Sequence, residues 1–225
     1  GDSAFQECFF LETINIPQTV TELGEGAFTM CESLKSIEIP DPVTIIFNSA
    51  FQQTPLTTIT FGSNSRLTEI SEKAFSSCNN LTSITLPDSV ETIGHLAFAH
   101  SGLETLYIPK SVSKLDDGAV AYCSRLYDLT VDPENPYYYE RNNVVYTEDM
   151  SILVAYAAGS SRSDYTVNNN YLQPTKAIAP YAFAGAYRLR SVQLPATLVD
   201  IGAYAFTSSG LMSLHVPDSI ITIGG

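Results

Sequence analysis

The dipeptide Ala-Phe returns at a nearly fixed interval along this chain, at Ala4, Ala27, Ala50, Ala74 and Ala97, in steps of 23, 23, 24 and 23 residues. One further step of 22 residues reaches Ala119-Val120, and 63 residues later Ala182-Phe183 and Ala205-Phe206 are again 23 apart. A unit this short cannot bury its own apolar face, so successive units must stack and share one core. The chain is therefore expected to fold as a solenoid.

The unit that opens at Ala74-Phe75 continues through Cys78, Leu81, Ile84, Leu86-Pro87, Ser89-Val90 and Ile93-Gly94. Its Leu81, Ile84 and Leu86 have the alternation of a short strand with one face buried. The same spacing recurs in eight places, for example Leu34, Ile37, Ile39 and Leu189, Val192, Leu194. Proline follows at Pro17, Pro40, Pro87, Pro109, Pro195 and Pro217, where a missing N–H ends a ladder without breaking its middle. Val90 and Ile93, at roughly helical or irregular spacing, would form a second wall against the strands. At about 4.8 Å per rung, eight rungs give a parallel sheet roughly 40 Å long.

The L-x-x-L-x-L strand and the A-F-x-x-C-x-x-L…L-P-x-S-V-x-x-I-G pattern resemble the BspA-like bacterial leucine-rich repeats. The expected fold is accordingly a repeat solenoid, a leucine-rich-repeat right-handed superhelix with a curved parallel β-sheet, interrupted by a β-hairpin insert. Leucine-rich repeats ordinarily carry Asn or Cys at the turn after the strand; here Thr19, Ser89, Ser111, Thr197 and Ser219 stand there, hydroxyls able to bond backbone.

Residues 1–131 read as repeats one to six, 132–177 as an insert and 178–225 as repeats seven and eight, all one continuous domain. Within the insert, Val144-Val145-Tyr146 and Ile152-Leu153-Val154 flank the polar Thr147–Ser151, a hairpin pattern. The chain starts at the beginning of one repeat and stops where another Ala-Phe is due, as a piece of a longer protein would.

With 24 acidic against 11 basic residues the net charge is −13, which argues against a nucleic-acid partner. No window reaches the roughly 20 apolar residues of a membrane helix. The first 50 residues hold eight acidic groups and one base, Lys35, so this end presents a negative field. Motifs of zinc proteases, serine hydrolases, P-loops and dinucleotide folds are missing, which argues against an enzyme, and neither cofactor nor metal is expected. His95 and His100 read as variable exposed residues. Asp132-Pro133-Glu134-Asn135 lacks the alternation of a calcium loop and reads as a turn. Glu38 and Asp128 lie four rungs apart, about 19 Å by strand spacing, too far for a glycosidase pair.

Cys8, Cys31, Cys78 and Cys123 share one repeat position with Thr54, Ser101, Ala186 and Ser209, a set that demands smallness. Parallel Cβ vectors favour free thiols over a Cys8–Cys31 disulfide. Of the strand positions facing away from the core, one column is almost all Ser or Thr, fit for hydroxyl pairing between rungs. The other holds Asn15, Glu38, Thr60, Thr85, Tyr107, Thr130, Gln193 and His215, whose chemistry changes from rung to rung as a concave recognition surface requires. Tyr137-Tyr138-Tyr139 cannot all face inward on an extended segment, which makes them the second candidate contact set, with packing of the insert tyrosines against the core as the alternative. The resemblance implies a secreted or surface protein of a bacterium, associated with adhesion. The resulting expectation is a non-catalytic module that binds an extracellular protein or glycan; the alternative is a spacer without a ligand of its own.

Overall fold

The computed structural model describes residues 1–170 and 172–224. In chain order the strands are β1 (Glu22–Leu23), β2 (Ser36–Ile39), β3 (Ile45–Ile46), β4 (Thr58–Phe61), β5 (Glu69–Ile70), β6 (Thr92–Ile93), β7 (Thr105–Ile108), β8 (Lys114–Leu115) and β9 (Asp128–Val131). They continue as β10 (Tyr138–Glu140), β11 (Val144–Thr147), β12 (Ile152–Tyr156), β13 (Asp164–Thr166), β14 (Ala177–Ile178), β15 (Ser191–Gln193), β16 (Asp200–Ile201) and β17 (Thr222–Ile223). No helix occurs among the described residues.

Each unit contributes to three walls. The first is the L-x-x-L-x-L segment, whose strands pair in parallel as β2–β4, β7–β9 and β13–β15. Inward Ile37, Ile59, Leu106, Leu129 and Val192 are buried. Pairing on this wall is divided into three couples instead of running unbroken through eight rungs.

The second wall, expected to be helical or irregular, consists of two-residue parallel strands. They run in the order β1-β3-β5-β6-β8, and after the insert as β12-β14-β16-β17. Extended backbone prevails because a β-branched or leucine side chain at the second residue of each strand faces the core while its amides bond the next rung. Leu23, Ile46, Ile70 and Ile93 stack in this way.

The Ala-Phe corner is the third wall. Phe28 N–H donates to the Ala50 carbonyl at 2.7 Å and Met30 N–H to the Gln52 carbonyl at 3.0 Å, a pattern repeated from rung to rung. In every regular corner the residue before alanine and the residue three after it have positive φ, as at Ser49 (56°) and Gln53 (58°) or Leu96 (54°) and His100 (59°). These left-handed residues make the corner and hold neighbouring alanines close. The rings of Phe5, Phe28, Phe51, Phe75 and Phe98 stack with centroids 5.2–5.5 Å apart and planes within 9°.

The cysteine position asks for more than smallness. The thiols of Cys31, Cys78 and Cys123 donate to the carbonyls of Phe5, Phe51 and Phe98 in the preceding rung, at 3.1–3.2 Å. All four cysteines are free. At the turn, Ser89, Ser111, Thr197 and Ser219 hydroxyls donate to backbone carbonyls of the preceding rung at 2.6–3.0 Å, as a hydroxyl at this position should.

The insert departs most from expectation. The antiparallel pair β11–β12 is the hairpin, but β10 also pairs with β11, so a three-stranded meander stands there. Asn142 and Asn143 both have φ of 61° and form the two-residue turn between β10 and β11. Arg141 and Val144 exchange backbone hydrogen bonds of 2.9 and 3.2 Å around it, the geometry of a type I′ hairpin. A hidden repeat is folded into the same segment. Leu153 stacks on Ile178 in the second wall, Tyr156 N–H donates to Ala182 carbonyl as the corner phenylalanines do, and Tyr165 pairs with Val192 in the strand wall.

Among the described residues this brings the rungs of the second wall to nine, from Leu23 to Ile223. The unit is disguised because only one residue separates Leu153 from Ala155, where Ile93 and Ala97 have three between them. β12 therefore runs straight through where the chain elsewhere turns. The units on either side close over it: Tyr122 N–H reaches the Ala184 carbonyl at 3.0 Å, and Gly118, at φ 69°, lies against the Tyr181 ring. A Cβ there would sit 3.1 Å from that ring and 2.8 Å from Leu96.

The meander divides the core. Val145, Ala155 and Ala157 join the cluster that begins at Leu23, while Val144, Tyr146, Leu153 and Tyr156 join the cluster that includes Phe183 and Val192. Burial on both faces explains the unbroken apolar run Val144-Val145-Tyr146.

Candidate binding surface

The outward positions of the strand wall come first. Register places Glu38 beside Thr60, Tyr107 beside Thr130 and Thr166 beside Gln193. Glu38, Thr60, Tyr107 and Gln193 are exposed, as are Asn15, Thr85 and His215 in units without a formal strand; Thr130 is half-buried. The column thus extends through the hidden repeat by Thr166, whose hydroxyl donates to Gln193 Oε1 at 3.1 Å.

Grooves open where strands do not pair. One of about 220 Å³ lies between the first and second units, with Asn15 and Glu38 in its wall. Another of about 470 Å³ separates the third and fourth units and is lined by Thr60, Gly62, Thr85 and Asp88 among others. The third unit has one residue more than its neighbours and Gly62 where Pro40 and Pro87 stand in the units on either side, so its turn is wider.

Serine and threonine of the other outward column form no hydroxyl ladder; beside that column, the Thr57 hydroxyl donates to the Lys35 carbonyl of the preceding rung at 3.0 Å. Main-chain carbonyls are fixed by the solenoid, whereas two short hydroxyls on adjacent rungs are held apart by the strand spacing.

Tyr107 is half exposed and its hydroxyl donates to Asp132 Oδ2 at 2.7 Å. That bond, with a second from Glu134 N–H to Oδ1, holds the Asp132 carboxyl below the usual carboxylate range and raises the Tyr107 hydroxyl. Asp132–Asn135 is a turn. Buried Asn135 donates to the Pro109 and Val112 carbonyls and accepts from Tyr137 and Tyr138 N–H, so its amide is fully engaged in structure.

The tyrosine triplet splits by the alternation of a strand. Tyr137 and Tyr139 are 50% and 49% exposed. Tyr138 turns inward instead, half-buried, its hydroxyl accepting from Leu115 N–H at 2.7 Å. Tyr146, Tyr156 and Tyr165 are buried. Packing against the core therefore accounts for Tyr138, Tyr146, Tyr156 and Tyr165, while Tyr137 and Tyr139 are left exposed. Tyr171 lies outside the described residues.

Beyond the anticipated positions, a hollow of about 600 Å³ opens between the Asn142-Asn143 turn and β13. Arg141, Asn142, Arg162, Asp164, Thr166 and Asn169 are among its lining, with Tyr146 and Tyr165 in its wall. Sequence reasoning missed it because Arg162 and Asp164 belong to the hidden repeat; the alternation of Asp164, Tyr165, Thr166 and Val167 was the available signal. His95 and His100 are not bland turn residues either. His100 stacks on Tyr122 at 4.3 Å, His95 meets the edge of Tyr181, and Tyr181 stacks on Tyr204 at 5.0 Å along the corner wall.

Chemically the surface offers hydrogen bonding, charge and aromatic contact. The Cys78 and Cys123 thiols are buried and pushed up to about 11 by desolvation. Among the described residues no three His, Cys, Asp or Glu are placed to hold a metal ion, and no helix is long and apolar enough to cross a membrane.

A family model described as the BspA type leucine rich repeat region matches residues 1–127 and 164–225, in six copies. The match resumes at Asp164, the first residue of β13, so the hidden repeat carries family character in its strand. Among solved structures, a leucine-rich repeat protein from Eubacterium ventriosum is 25% identical with a TM-score of 0.84, over 91% of this chain and 53% of that one. A leucine rich cell surface protein from Faecalibacterium prausnitzii is 28% identical with a TM-score of 0.71, over 91% of this chain and 60% of that one. The pneumococcal vaccine antigen PcpA is 25% identical with a TM-score of 0.65, over 89% of this chain and 57% of that one. This chain spans little more than half the length of these structures. No curated protein matches it in sequence. The chain belongs to the BspA-type leucine-rich repeat family and is a repeat module of the kind found in bacterial surface-type proteins.

Proposed function

We propose that the chain is a non-catalytic recognition module of a bacterial surface or secreted protein, which engages an extracellular protein or glycan through the outward face of its strand wall. The observation that carries this reading is the column from Asn15 to His215. Side chains of changing chemistry are set at one rung spacing on a hydrogen-bonded scaffold, and grooves at unpaired seams give a partner's side chains somewhere to enter. Tyr137 and Tyr139 add exposed aromatic area of the kind enriched in contact surfaces. The excess of acid in the first units would steer a partner with a basic patch towards that end.

The test is binding of the purified chain to arrayed matrix proteins, mucins and glycans at low and physiological salt, beside a Glu38→Ala/Tyr107→Ala/Gln193→Ala variant. Saturable binding that the variant loses supports the strand face; binding that it keeps in full removes that face. The engagement of the Tyr107 hydroxyl by Asp132 favours a second reading, a spacer whose polar groups serve its own rigidity. On that reading, deletion of whole repeats from the native protein shortens its reach and leaves every binding constant unchanged.

A further inference from the structure

We propose that the hollow between the Asn142-Asn143 turn and β13 binds a short saccharide bearing one acidic group, with Arg141 and Arg162 holding the carboxylate or sulfate.

Charge is the first argument. Four ion pairs join described residues, through Lys73, Lys110, Lys114 and Arg125, and none of them involves Arg141 or Arg162. In a chain of net charge −13 these two cations face one cavity without a carboxylate partner of their own. Arg162 is half-buried and held in place, its Nη1 donating to the Asn142 carbonyl at 3.1 Å. Its remaining N–H groups form the planar fork that suits a carboxylate or sulfate. Both guanidinium groups lie near the Tyr165 hydroxyl: burial raises its pKa most, Tyr146 adds to the rise, and Arg162 and Arg141 act against it.

The lining is the second argument. Asn142, Asp164, Thr166 and Asn169 offer amide, hydroxyl and carboxylate groups, a set that matches sugar hydroxyls, and the aromatic rings of the wall are buried with their hydroxyls bonded to each other at 2.6 Å. An acidic peptide would call for an apolar anchor pocket, which this cavity lacks. The volume suits a ligand of two or three rings. A densely charged polyanion is disfavoured by the overall negative charge and by Asp164 at the hollow itself, so one acidic group is the better match.

This inference goes beyond the strand-face reading; Thr166 belongs to both surfaces, but substitutions at Glu38 and Tyr107 test that reading alone and substitutions at Arg141 and Arg162 test this one alone. Calorimetric titration of the whole chain with 3′-sialyllactose, 3′-sulfolactose, lactose and tetraglutamate decides the matter. The two acidic sugars should bind saturably, lactose at least tenfold more weakly and tetraglutamate not at all. Arg141→Ala/Arg162→Ala should lose binding tenfold or more at unchanged thermal stability, and Arg162→Lys should recover it only in part because the fork is gone. Arg188→Ala, which removes a cation outside the hollow, should bind as the parent does. If that double variant melts early, each single variant takes its place. Absence of binding by either acidic sugar to millimolar concentration overturns the proposal. Equal binding of lactose, equal binding of tetraglutamate, or full binding by a folded hollow variant does so too.

Discussion

The hydroxyls of Tyr146 and Tyr165 meet at 2.6 Å inside the protein, one from the insert meander and one from the hidden repeat. Each is the other's partner in a region where an unpaired hydroxyl would remain desolvated. Tyr146→Phe or Tyr165→Phe should therefore cost about 1–3 kcal/mol, and the double variant less than the sum, because replacing both partners leaves nothing unsatisfied. Urea unfolding of the four proteins measures the cycle; additive losses would refute the pairing. Burial raises both hydroxyls above the ordinary tyrosine value. Their contribution is present below about pH 10 and lost as pH rises through the folded values, so their phenolate absorbance should emerge only together with unfolding.

Phe51 sits between Phe28 at 5.2 Å and Phe75 at 5.3 Å and is fully buried. Phe51→Ala should destabilise by about 3–5 kcal/mol. Phe10, 92% exposed, serves as the contrast, with Phe10→Ala expected within about 0.5 kcal/mol of the parent. Denaturation midpoints compare the two.

Thiol labelling should proceed in order of burial. Cys8 is half-buried, whereas Cys31, Cys78 and Cys123 are buried with raised pKa values. At pH 8 a thiolate-directed reagent should modify Cys8 first and the other three only on unfolding, with mass spectrometry counting the labels. Rapid native labelling of Cys78 or Cys123 would contradict the packing.

At the Asn142-Asn143 turn, Asn143→Gly should be tolerated and Asn143→Val should cost about 1–3 kcal/mol, because a β-branched residue is strained at a φ of 61°. Thermal melts of both variants test this.

The Asp132 carboxyl, kept low by the Tyr107 hydroxyl first and Glu134 N–H second, stabilises the folded chain above the unfolded carboxylate pKa of about 4 and ceases to do so as pH falls through its own folded value. In Tyr107→Phe the carboxyl resonance of Asp132 should titrate at higher pH, as an NMR titration would show; an unmoved midpoint would mean the bond does not persist in solution.

The regular units were legible because each repeats its own instructions. Leu81, Ile84 and Leu86 occupy the positions that Leu34, Ile37 and Ile39 occupy two rungs earlier, and the outward side chains between them followed at once. The hidden repeat was not legible. Its corner is Ala155-Tyr156 instead of Ala-Phe, too close to Leu153 for the period to be seen, and its strand enters at Arg162 where other units have leucine. The short type I′ turn at Asn142-Asn143 was a local signal, but β10 and β11 around it are buried unevenly and show no clean alternation. Tyr137, Tyr138 and Tyr139 showed that they must divide between faces. Which of them turned inward depended on the Leu115 N–H that receives Tyr138.

Period and residue type by themselves determined the stacking of units, the inward set of leucine, isoleucine and phenylalanine, and the outward column from Asn15 to His215, since a short repeat has only one way to bury its apolar side chains. Tertiary structure decided what lies where the repeat is broken. It decided which neighbouring strands pair, as β2 and β4 do, and which part into grooves, as in the third and fourth units. Whether Arg141 and Arg162 share a cavity depends on the meander lying between two cores, each of which claims one of its faces. Those outcomes come from contacts between distant segments, which no local pattern of side chains encodes.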